Sequence, residues 1–408
     1  MAPRTCRSCG AILSTTFVDL GETPLANSLI RPEQAGIQET YFPLQAFVCD
    51  RCFLVQASDF VSPEKLFSDY PYFSSFSDTW LEHCKRYVTQ VIPLLGLGPE
   101  SRIVEIASND GALLQFFQKR GLRVLGIEPA TNVAQTALEQ GIPTEIAFFG
   151  RDTARRLRRD FAADLIVANN VLAHVPDLND FIAGLKLLLA PSGTITIEFP
   201  HLARLISECQ FDTIYHEHFS YFSLLAAEAA LSRHGLAVYE AETLATHGGS
   251  LRLYLSHAEA HRPIGPGYAS VAAAERAAGL DRIESYSTFT ATAEAARRDI
   301  LAFLKAARRA GKRVVGYGAA AKGSTLLNYC GAGREFVDYV VDRNRHKQGL
   351  LLPGVRLPIH APERVFETKP DYLFVLAWNL KEEILRTMGG ITEWGGRFVF
   401  PVPKLEII

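Results

Sequence analysis

The pattern of apolar and polar positions is most regular from residue 101 onward, where apolar runs alternate with amphipathic segments. Residues 101–107 and 123–129 are apolar and rich in β-branched side chains, which predicts two buried parallel strands. A turn-forming cluster at 108–111 and an amphipathic segment that follows it separate these runs. The pattern predicts a βαβ unit with a turn after its first strand and a carboxylate, Glu128, after its second.

The same alternation continues through the rest of the chain. Residues 163–170 and 193–199 predict two further strands of the first sheet, with a helix at 180–189 between them. Residues 312–318 and 336–342 predict strands of a second α/β unit, and a helical connector at about 258–305 precedes them. In doubly wound sheets, ligands bind beyond the carboxyl ends of the strands, so each unit predicts one ligand-binding edge.

The length, charge and hydropathy of the chain limit the kinds of molecule that it is expected to bind. The 408 residues suffice for two or three domains. The formal net charge is −2 and the pI is about 6.6, so no global basic field attracts nucleic acid or an anionic membrane. The first residues lack an apolar leader, and no apolar stretch approaches the roughly 18 residues of a membrane span. We therefore expect a cytoplasmic enzyme that acts on a small molecule as a monomer or small homo-oligomer.

Four of the seven cysteines form two close pairs. Cys6 and Cys9 form one Cys-x-x-Cys motif, and Cys49 and Cys52 form the other. In a reducing compartment such pairs bind metal more often than they form disulfides. Four thiolates complete a tetrahedral zinc shell that leaves no position for water. The sequence thus predicts a structural zinc site, with two redox dithiols as the alternative. Three isolated cysteines fit core packing: Cys84, Cys209 and Cys330.

The turn after the first predicted strand lacks the Gly-x-Gly-x-x-Gly fingerprint of dinucleotide sites. Only Gly111 stands in it, and Asn109 and Asp110 occupy the preceding positions. The carboxylates of Glu105 and Asp110 would repel a phosphate group but suit a sulfonium or ammonium ion. Glu128 can accept hydrogen bonds from both ribose hydroxyls. This distribution of charge favours S-adenosylmethionine over NAD, and a nucleotide site or a plain α/β core is the alternative.

A second polar cluster follows the predicted strand at 193–199. Residues 215–218 read Tyr-His-Glu-His between aromatic side chains, and His174 follows the strand at 163–170. Histidine is the commonest general base, and tyrosine or a second histidine can donate hydrogen bonds to an oxygen that gains negative charge. This machinery suits methyl transfer to carbon. A surface loop or a second metal site built from the same run is the alternative.

The second α/β unit suits a diphosphate better than the first. Its strand at 312–318 ends in a turn with Gly316 and Gly318, and Lys322 stands in the first turn of the following helix. Glycines at a helix N-terminus with a nearby cation form an anion site. We expect a nucleotide diphosphate there, with a duplicated fold that binds no ligand as the alternative.

Residues 95–200 as a set resemble class I methyltransferases. Nearly the whole chain, in addition, resembles the nucleotide-sugar C-methyltransferases of deoxysugar pathways, which act at carbon 3 of 4-keto sugars. The resemblance is carried by the four paired cysteines and by residues 20–27, 69–75, 105–111, 126–130, 215–218, 247–250, 316–323 and 341–344.

The resemblance implies an α/β protein of three domains. A class I methyltransferase core with a doubly wound sheet would be flanked by a small N-terminal zinc-binding domain and a C-terminal Rossmann-like domain. We expect the zinc-binding domain at residues 1–72 and the S-adenosylmethionine-binding core at 73–257. Residues 258–408 would form the connector and a domain that helps to hold the nucleotide sugar.

The resemblance also implies the residues of the site. The base would be His218 or Tyr215, in a motif that includes Glu217, while His216 has no assigned role. The expected contacts of the cofactor are Glu105, Ala107, Asn109, Asp110, Gly111, Glu128, Pro129, Asn169 and Asn170. The expected contacts of the nucleotide sugar are Tyr70 or Tyr72, His174, His247, Lys322 and Asn344. The zinc ligands would be Cys6, Cys9, Cys49 and Cys52.

The expected reaction begins with removal of the hydrogen at carbon 3, which the neighbouring ketone acidifies. His174 or a tyrosine would hydrogen-bond the enolate oxygen, and carbon 3 would take the methyl group of S-adenosylmethionine. The nucleotide usual in this family is TDP. Two other functions are compatible with the residues: an O- or N-methyltransferase of natural products, and a non-enzymatic nucleotide-binding module.

Overall fold

A computed structural model of the chain describes residues 4–58, 60–61 and 73–408. Tyr70 and Tyr72, predicted to line the sugar pocket, lie outside the described residues. The described strands are β1 Thr15–Thr23, β2 Phe42–Val48, β3 Val55–Ala57, β4 Arg102–Ile106, β5 Arg123–Ile127, β6 Thr144–Glu145, β7 Ala163–Asn169, β8 Leu189–Pro200, β9 Ser220–Tyr221, β10 Leu236–Leu244, β11 Ser250–His257, β12 Val314–Tyr317, β13 Val340–Val341, β14 Ile359–His360, β15 Tyr372–Val375, β16 Arg397–Phe400 and β17 Glu406–Ile407. The described α-helices are α1 Asp78–Leu95, α2 Leu114–Gln118, α3 Thr131–Glu139, α4 Arg151–Leu157, α5 Leu178–Leu188, α6 Leu202–Ser207, α7 Leu224–Ser232, α8 Pro266–Ala277, α9 Phe289–Arg309, α10 Ala321–Cys330, α11 Glu363–Thr368 and α12 Lys381–Thr387.

The middle sheet has seven strands in the order β10-β11-β8-β7-β4-β5-β6. Strands β4 to β8 run parallel, and β10 and β11 continue the sheet antiparallel. This confirms the doubly wound sheet predicted from the apolar runs. Helix α5 begins two residues before the predicted 180–189, because the side chain of Asp177 caps it by accepting from the Asp180 amide. The carboxyl ends of β4, β5, β7 and β8 meet at one edge, where the predicted cofactor residues lie.

The N-terminal sheet has four antiparallel strands in the order β1-β2-β3-β9. Its fourth strand, β9, comes from the middle of the chain and follows directly on the Tyr-His-Glu-His run. The pairing is short: Val55 lies opposite Tyr221, and Gln56 lies opposite Ser220. The N-terminal unit is thus completed by a segment more than 150 residues downstream. A strand of two residues is too short for its apolar pattern to predict this pairing.

The C-terminal sheet has the order β14-β13-β12-β15-β16-β17 and is parallel except for its last strand. The predicted strand at 336–342 is reduced to β13. Residues before it still approach β12, since the Asp338 amide donates to the carbonyl of Val314. This unit is the predicted Rossmann-like partner of the middle sheet.

The predicted connector forms helices α8 and α9, and α9 packs on the N-terminal sheet. The rings of Phe17 and Phe289 stack with centroids 4.5 Å apart, and the Thr290 hydroxyl donates to the Phe17 carbonyl. The buried side chains of the N-terminal and C-terminal sheets belong to one hydrophobic cluster. On the opposite side, Arg356 forms an ion pair with Glu39 at 3.0 Å. In the part of the chain that the structure describes, no helix is both long and apolar enough to cross a bilayer.

Candidate active site

Four cysteine sulfurs meet in the N-terminal domain. The Sγ atoms of Cys6, Cys9, Cys49 and Cys52 all lie within 4.8 Å of one another. Cys6 and Cys52 are 3.5 Å apart, as are Cys9 and Cys49, which is far beyond a disulfide bond length. Sulfurs at about 2.3 Å from a tetrahedral zinc ion lie about 3.8 Å apart, so this constellation fits a four-thiolate zinc site. Among the described residues it is the one cluster of metal ligands found.

The zinc cluster is tied to the sheet that borders the Tyr-His-Glu-His loop. The side-chain amide of Gln56 donates to Cys6 Sγ at 3.3 Å, and its carbonyl oxygen accepts from the Arg7 amide. Gln56 belongs to β3 and pairs with β9. Asn179 of helix α5 also donates to the carbonyls of Arg7 and Ser8. These contacts connect the cysteine-bearing segment at residues 6–9 to helix α5 of the middle unit and, through β3, to strand β9.

The turn between β4 and α2 has an unusual backbone. Ala107 and Asn109 adopt φ of 55° and 51°, and Gly111 follows at 78°. Left-handed conformations in residues other than glycine cost free energy and cluster at functional sites. Glu128, at the end of β5, holds the turn: its carboxylate accepts from the Asn109 amide at 2.9 Å and from the Ala130 amide at 2.8 Å. The predicted turn and the Glu128 carboxylate are thus brought together. Pro129 lies between Glu128 and Ala130, the two residues of the second contact.

Several side chains at this edge carry buried polar atoms that lack a partner among the described residues. They are Glu105 Oε2, Asp110 Oδ1, both terminal atoms of Asn169 and Asn170 Oδ1. Such atoms are costly unless a ligand binds them. Burial and the neighbouring Asp110 raise the pKa of Glu105 well above its usual range. A cationic ligand that bears hydroxyl and ammonium groups satisfies this set, and an anion does not, so the residues fit S-adenosylmethionine.

The Tyr-His-Glu-His run forms a tight loop around His218. Its ring nitrogen Nδ1 lies 2.8 Å from the carbonyl oxygen of Thr213, and Nε2 lies 2.7 Å from the Tyr215 hydroxyl. Because a carbonyl can only accept, Nδ1 carries the hydrogen and Nε2 accepts from Tyr215. Burial and the nearby His174 hold the pKa of His218 well below its usual range. His218 is therefore neutral at pH 7, with its basic nitrogen directed at the tyrosine.

His174 lies beside this pair, with its ring centroid 4.7 Å from that of His218. Its Nδ1 lies 2.8 Å from the carbonyl oxygen of Glu217, so it too carries hydrogen on Nδ1. Burial lowers the pKa of His174 to about 4. In this neutral form Nε2 is an acceptor. The predicted grouping of His174, Tyr215 and His218 is present, but His174 has the tautomer of an acceptor rather than of a donor.

The carboxylate of Glu217 points away from that pair toward the N-terminal domain. The side-chain amide of Asn27 lies 2.8 and 2.7 Å from its two oxygens. Glu217 is only 3% exposed, and burial raises its pKa to about 7, partly offset by the Asn27 hydrogen bond and the charge of Lys347. His216 also faces this domain: its ring centroid lies 5.9 Å from that of Phe42, and its Nε2 lies 3.3 Å from the Pro43 carbonyl oxygen. It packs against the N-terminal domain.

His247, Asn170 and Lys322 meet where the middle and C-terminal domains touch. Asn170 Nδ2 lies 3.2 Å from His247 Nε2, and Lys322 Nζ donates to the His247 carbonyl at 3.2 Å. The Lys322 ammonium also stands 4.7 Å from the centroid of the Trp378 ring. Asn344 instead organises the turn after β13, with its amide on Asp342 and its side chain accepting from the His346 amide.

Two buried groups near this junction were missed in the sequence. Glu198, at the carboxyl end of β8, binds His83 at 2.9 Å and Arg252 at 2.7 Å, and all three are buried. Asp212 accepts from the indole of Trp378 at 2.7 Å. Glu198 could have been found by the reasoning that identified Glu128, since both are acids that end a parallel strand.

Three family descriptions match the chain in succession. A zinc binding domain matches residues 6–67, and "Methyltransferase domain" matches residues 80–241. "C-methyltransferase C-terminal domain" matches residues 245–403. The order of these matches follows the order of the three sheets along the chain.

The relatives found include one of nearly equal length. "C-methyltransferase NovU" of Streptomyces niveus is 37% identical over 404 residues, which cover 99% of this chain and 96% of that protein. A ubiquinone biosynthesis O-methyltransferase of Rhodopseudomonas palustris is 26% identical over 97 residues, covering 24% of this chain and 38% of that protein. The magnesium protoporphyrin IX methyltransferase of Synechocystis, solved with bound SAM, aligns with a TM-score of 0.34 and 14% identity over 44% of this chain and 82% of that chain.

Substitution of one zinc ligand tests the role of the thiolate cluster. We expect Cys49→Ser to lose bound zinc and to unfold at a lower temperature, because three thiolates no longer complete the tetrahedral shell. Metal analysis and thermal unfolding of the purified chain measure both effects. The matched control is Cys84→Ser, a buried cysteine outside the cluster, which should keep its zinc. A Cys49→Ser protein with full zinc content and unchanged unfolding temperature would contradict this assignment.

The raised pKa of Glu217 predicts how stability changes with pH. A carboxyl whose pKa rises on folding stabilises the protein fully below its unfolded pKa, near 4.5, and this contribution is lost as pH rises through about 7. Between pH 5 and pH 8 we expect the wild type to lose about 2–3 kcal/mol of stability relative to Glu217→Gln, which does not titrate. Denaturant unfolding at both pH values checks this, with exposed Glu382→Gln as the control. Equal pH dependence in wild type and Glu217→Gln would refute it.

Proposed function

The chain belongs to the S-adenosylmethionine-dependent C-methyltransferases with a zinc-binding domain, and we propose that it methylates carbon 3 of a nucleotide-linked 4-keto deoxysugar. Its membership rests on near full-length similarity to a named C-methyltransferase and on three successive domain matches. The sugar, the position of the methyl group and the nucleotide, which we propose to be TDP, are inferences from the site and from the sequence motifs.

S-adenosylmethionine is the cofactor, and when bound it supplies an electrophilic methyl group on a positively charged sulfur. We propose that the unpartnered atoms of Glu105, Asp110 and Asn169 bind its polar groups, and that Glu128 accepts from its ribose hydroxyls. Ala107, Asn109, Gly111, Pro129 and Asn170 would complete the wall of the site. The cluster of carboxyl groups supports this proposal, because a nearby sulfonium favours their charged form and is stabilised by it.

The observation that carries the proposed chemistry is the chain of hydrogen bonds from Thr213 through His218 to Tyr215. A saturated carbon next to a ketone becomes nucleophilic only after it loses a proton. The neutral imidazole of His218 can accept the proton of Tyr215 while the tyrosine oxygen takes the proton from carbon. Methyl transfer to a hydroxyl or amine needs less of this arrangement.

We assign the first step to these two residues acting together. The Tyr215 oxygen takes the hydrogen on carbon 3 of the sugar, while its own proton passes to Nε2 of His218. The electron pair left on carbon 3 is shared with the ketone oxygen at carbon 4, which makes carbon 3 nucleophilic. His174, whose ring centroid lies 4.7 Å from that of His218, is proposed to line the sugar pocket beside this pair. Glu217 positions this loop by its contact with Asn27.

The C-terminal domain is proposed to hold the nucleotide. Lys347 donates to the Ala319 carbonyl in the turn after β12 at 2.9 Å, and Lys322, in the first turn of α10, donates to the His247 carbonyl at 3.2 Å. Two cations at a glycine-rich turn support binding of a diphosphate. We propose functional units at 1–72, 73–257 and 258–408, with Tyr70 or Tyr72, His247 and Asn344 also serving the sugar nucleotide. A cytoplasmic location is proposed because none of the seven cysteines forms a disulfide.

Methyl transfer to a defined carbon is the direct test of the proposed function. We expect the chain to make a panel of nucleotide-linked 4-keto deoxysugars heavier by one methylene in the presence of S-adenosylmethionine. In heavy water without cofactor, the same sugars should exchange the hydrogen on carbon 3 for deuterium, because only the carbon route forms an enolate. Mass spectrometry and proton NMR measure both results. Methyl transfer without exchange would instead support an O- or N-methyltransferase.

Removing either member of the proposed base should stop proton abstraction. We expect Tyr215→Phe and His218→Ala each to slow deuterium exchange by about 100–10,000-fold, the usual contribution of a general base. Calorimetry should show S-adenosylhomocysteine binding unchanged in both variants. The control Tyr239→Phe alters a tyrosine at the far end of β10, which contacts Thr194, and should exchange at the wild-type rate. Wild-type exchange by His218→Ala would mean that another group is the base.

A further inference from the structure

Residues in left-handed backbone conformations gather at the carboxyl edge of the middle sheet. Among non-glycine residues with positive φ, Ala107, Asn109, Asn170 and His247 all stand at this edge, with φ between 51° and 55°. The first three belong to the turns that end β4 and β7. His247 comes from the connection between β10 and β11. Strain of this kind persists where the surrounding structure enforces it and often marks a functional group.

The surroundings of His247 enforce its position from three sides. The Trp80 ring lies 5.8 Å from its ring, and Lys322 holds its carbonyl. The following turn requires glycine, because a Cβ on Gly248 would lie 2.6 Å from the Trp378 ring. The neighbouring Thr246 hydroxyl donates to the buried carboxylate of Glu198 at 2.9 Å. The imidazole is therefore fixed in a strained conformation beside Asn170.

The contact with Asn170 determines which ring nitrogen of His247 carries hydrogen. Nδ2 of Asn170 is an amide nitrogen and can only donate, so His247 Nε2 accepts and the hydrogen lies on Nδ1. Within the described ranges 4–58, 60–61 and 73–408, no group accepts a hydrogen bond from that Nδ1–H. Burial, together with the nearby Lys322 ammonium, lowers the pKa of His247 to about 4. At neutral pH this side chain is an uncharged donor.

The other two histidines of the site have the complementary arrangement. His174 and His218 both give their Nδ1 hydrogen to backbone carbonyls, which leaves Nε2 as an acceptor. Abstraction of a proton next to a ketone needs an acceptor for the proton and a donor for the oxygen that gains charge. His247 is the one of these three whose tautomer leaves an N–H for a ligand.

We propose that His247 donates its Nδ1–H hydrogen bond to the ketone oxygen of the substrate. The inference rests on the proposed carbon-3 methylation. As the base takes the carbon-3 hydrogen, the electron pair of that bond moves toward the carbon-4 oxygen, and His247 stabilises the developing charge while keeping its own proton. Atoms and electrons balance without a further reactant, and a neutral imidazole donor avoids drawing the proton fully onto the oxygen.

Two substitutions of His247 separate this role from a structural one. The side-chain amide nitrogen of asparagine can take the place of Nδ1, whereas that of glutamine takes the place of Nε2, where it faces the Asn170 donor. We expect His247→Gln to slow cofactor-free deuterium exchange at carbon 3 by about 100–1,000-fold, the usual loss of an oxyanion donor. We expect the exchange rate of His247→Asn to remain within about tenfold of the wild-type rate.

Thermal unfolding and S-adenosylhomocysteine binding are measured on the same proteins, because asparagine also tolerates left-handed backbone better than glutamine. The matched controls are His257→Asn and His257→Gln at the opposite end of β11, which should exchange at the wild-type rate. The proposal would be overturned if folded His247→Gln exchanged at the wild-type rate. It would also be overturned if folded His247→Asn and His247→Gln lost the same fraction of the exchange rate. If the wild type itself exchanges no 4-keto sugar, the proposed function fails instead.

A substitution at Asn170 tests the tautomer of His247 independently. In Asn170→Asp the new carboxylate accepts from Nε2–H of His247, which moves the hydrogen away from Nδ1 and removes the donor. We expect exchange to fall as far as in His247→Gln. Wild-type exchange in Asn170→Asp would show that the direction of this hydrogen bond does not matter, and would overturn the proposal.

Discussion

The site depends on the backbone of Phe219, which joins two domains at one residue. Its amide donates to the Ala173 carbonyl at 2.7 Å, and its carbonyl accepts from the Ala57 amide at 3.0 Å. Phe219 directly follows His218, so these bonds fix the loop between the methyltransferase sheet and the zinc-bearing sheet. A hydrogen bond such as that from Tyr215 to His218 tolerates displacements of only a few tenths of an ångström. The zinc cluster, through Gln56 and β3, thus supports the geometry of the Tyr215–His218 pair, which it does not touch.

Burial divides the site into two regions of different electrostatic character. At the cofactor edge, the carboxyl groups of Glu105, Asp110 and Glu128 lie close together, and a cationic ligand favours their charged form. At the loop, desolvation keeps His174, His218 and His247 uncharged, so their hydrogen-bond partners alone decide which of them accept and which donate. The Lys322 ammonium, which lowers the pKa of His218 and of His247, lies on the side of the C-terminal domain. The middle domain therefore suits a cation, and the junction with the C-terminal domain suits an anion.

Local patterns predicted much of this fold, and long-range contacts account for what they missed. The paired cysteines and the strand–turn–strand unit ending in Glu128 lie within short segments, so spacing and periodicity identified them. The hydrogen bond from Asn27 to Glu217 joins residues 190 positions apart, and β9 pairs with a strand from the N-terminal domain. The sequence also placed His174 and His218 in one predicted polar cluster, but their tautomers follow from backbone carbonyls that only the folded loop brings into reach. His83, in the middle of an amphipathic helix, offered no signal.

The C-terminal domain contacts the segments on either side of the site, next to Thr213 and next to His247. The indole of Trp378 donates to Asp212, whose pKa burial raises to about 6. Asp212 directly precedes Thr213, the residue whose carbonyl sets the tautomer of His218. Trp378 also packs against Gly248, the residue after His247. One side chain therefore contacts both the segment that precedes His218 and the segment that contains His247. Because a buried carboxylate without its indole partner would be costly, the docked C-terminal domain is part of the structure that holds both histidines in place.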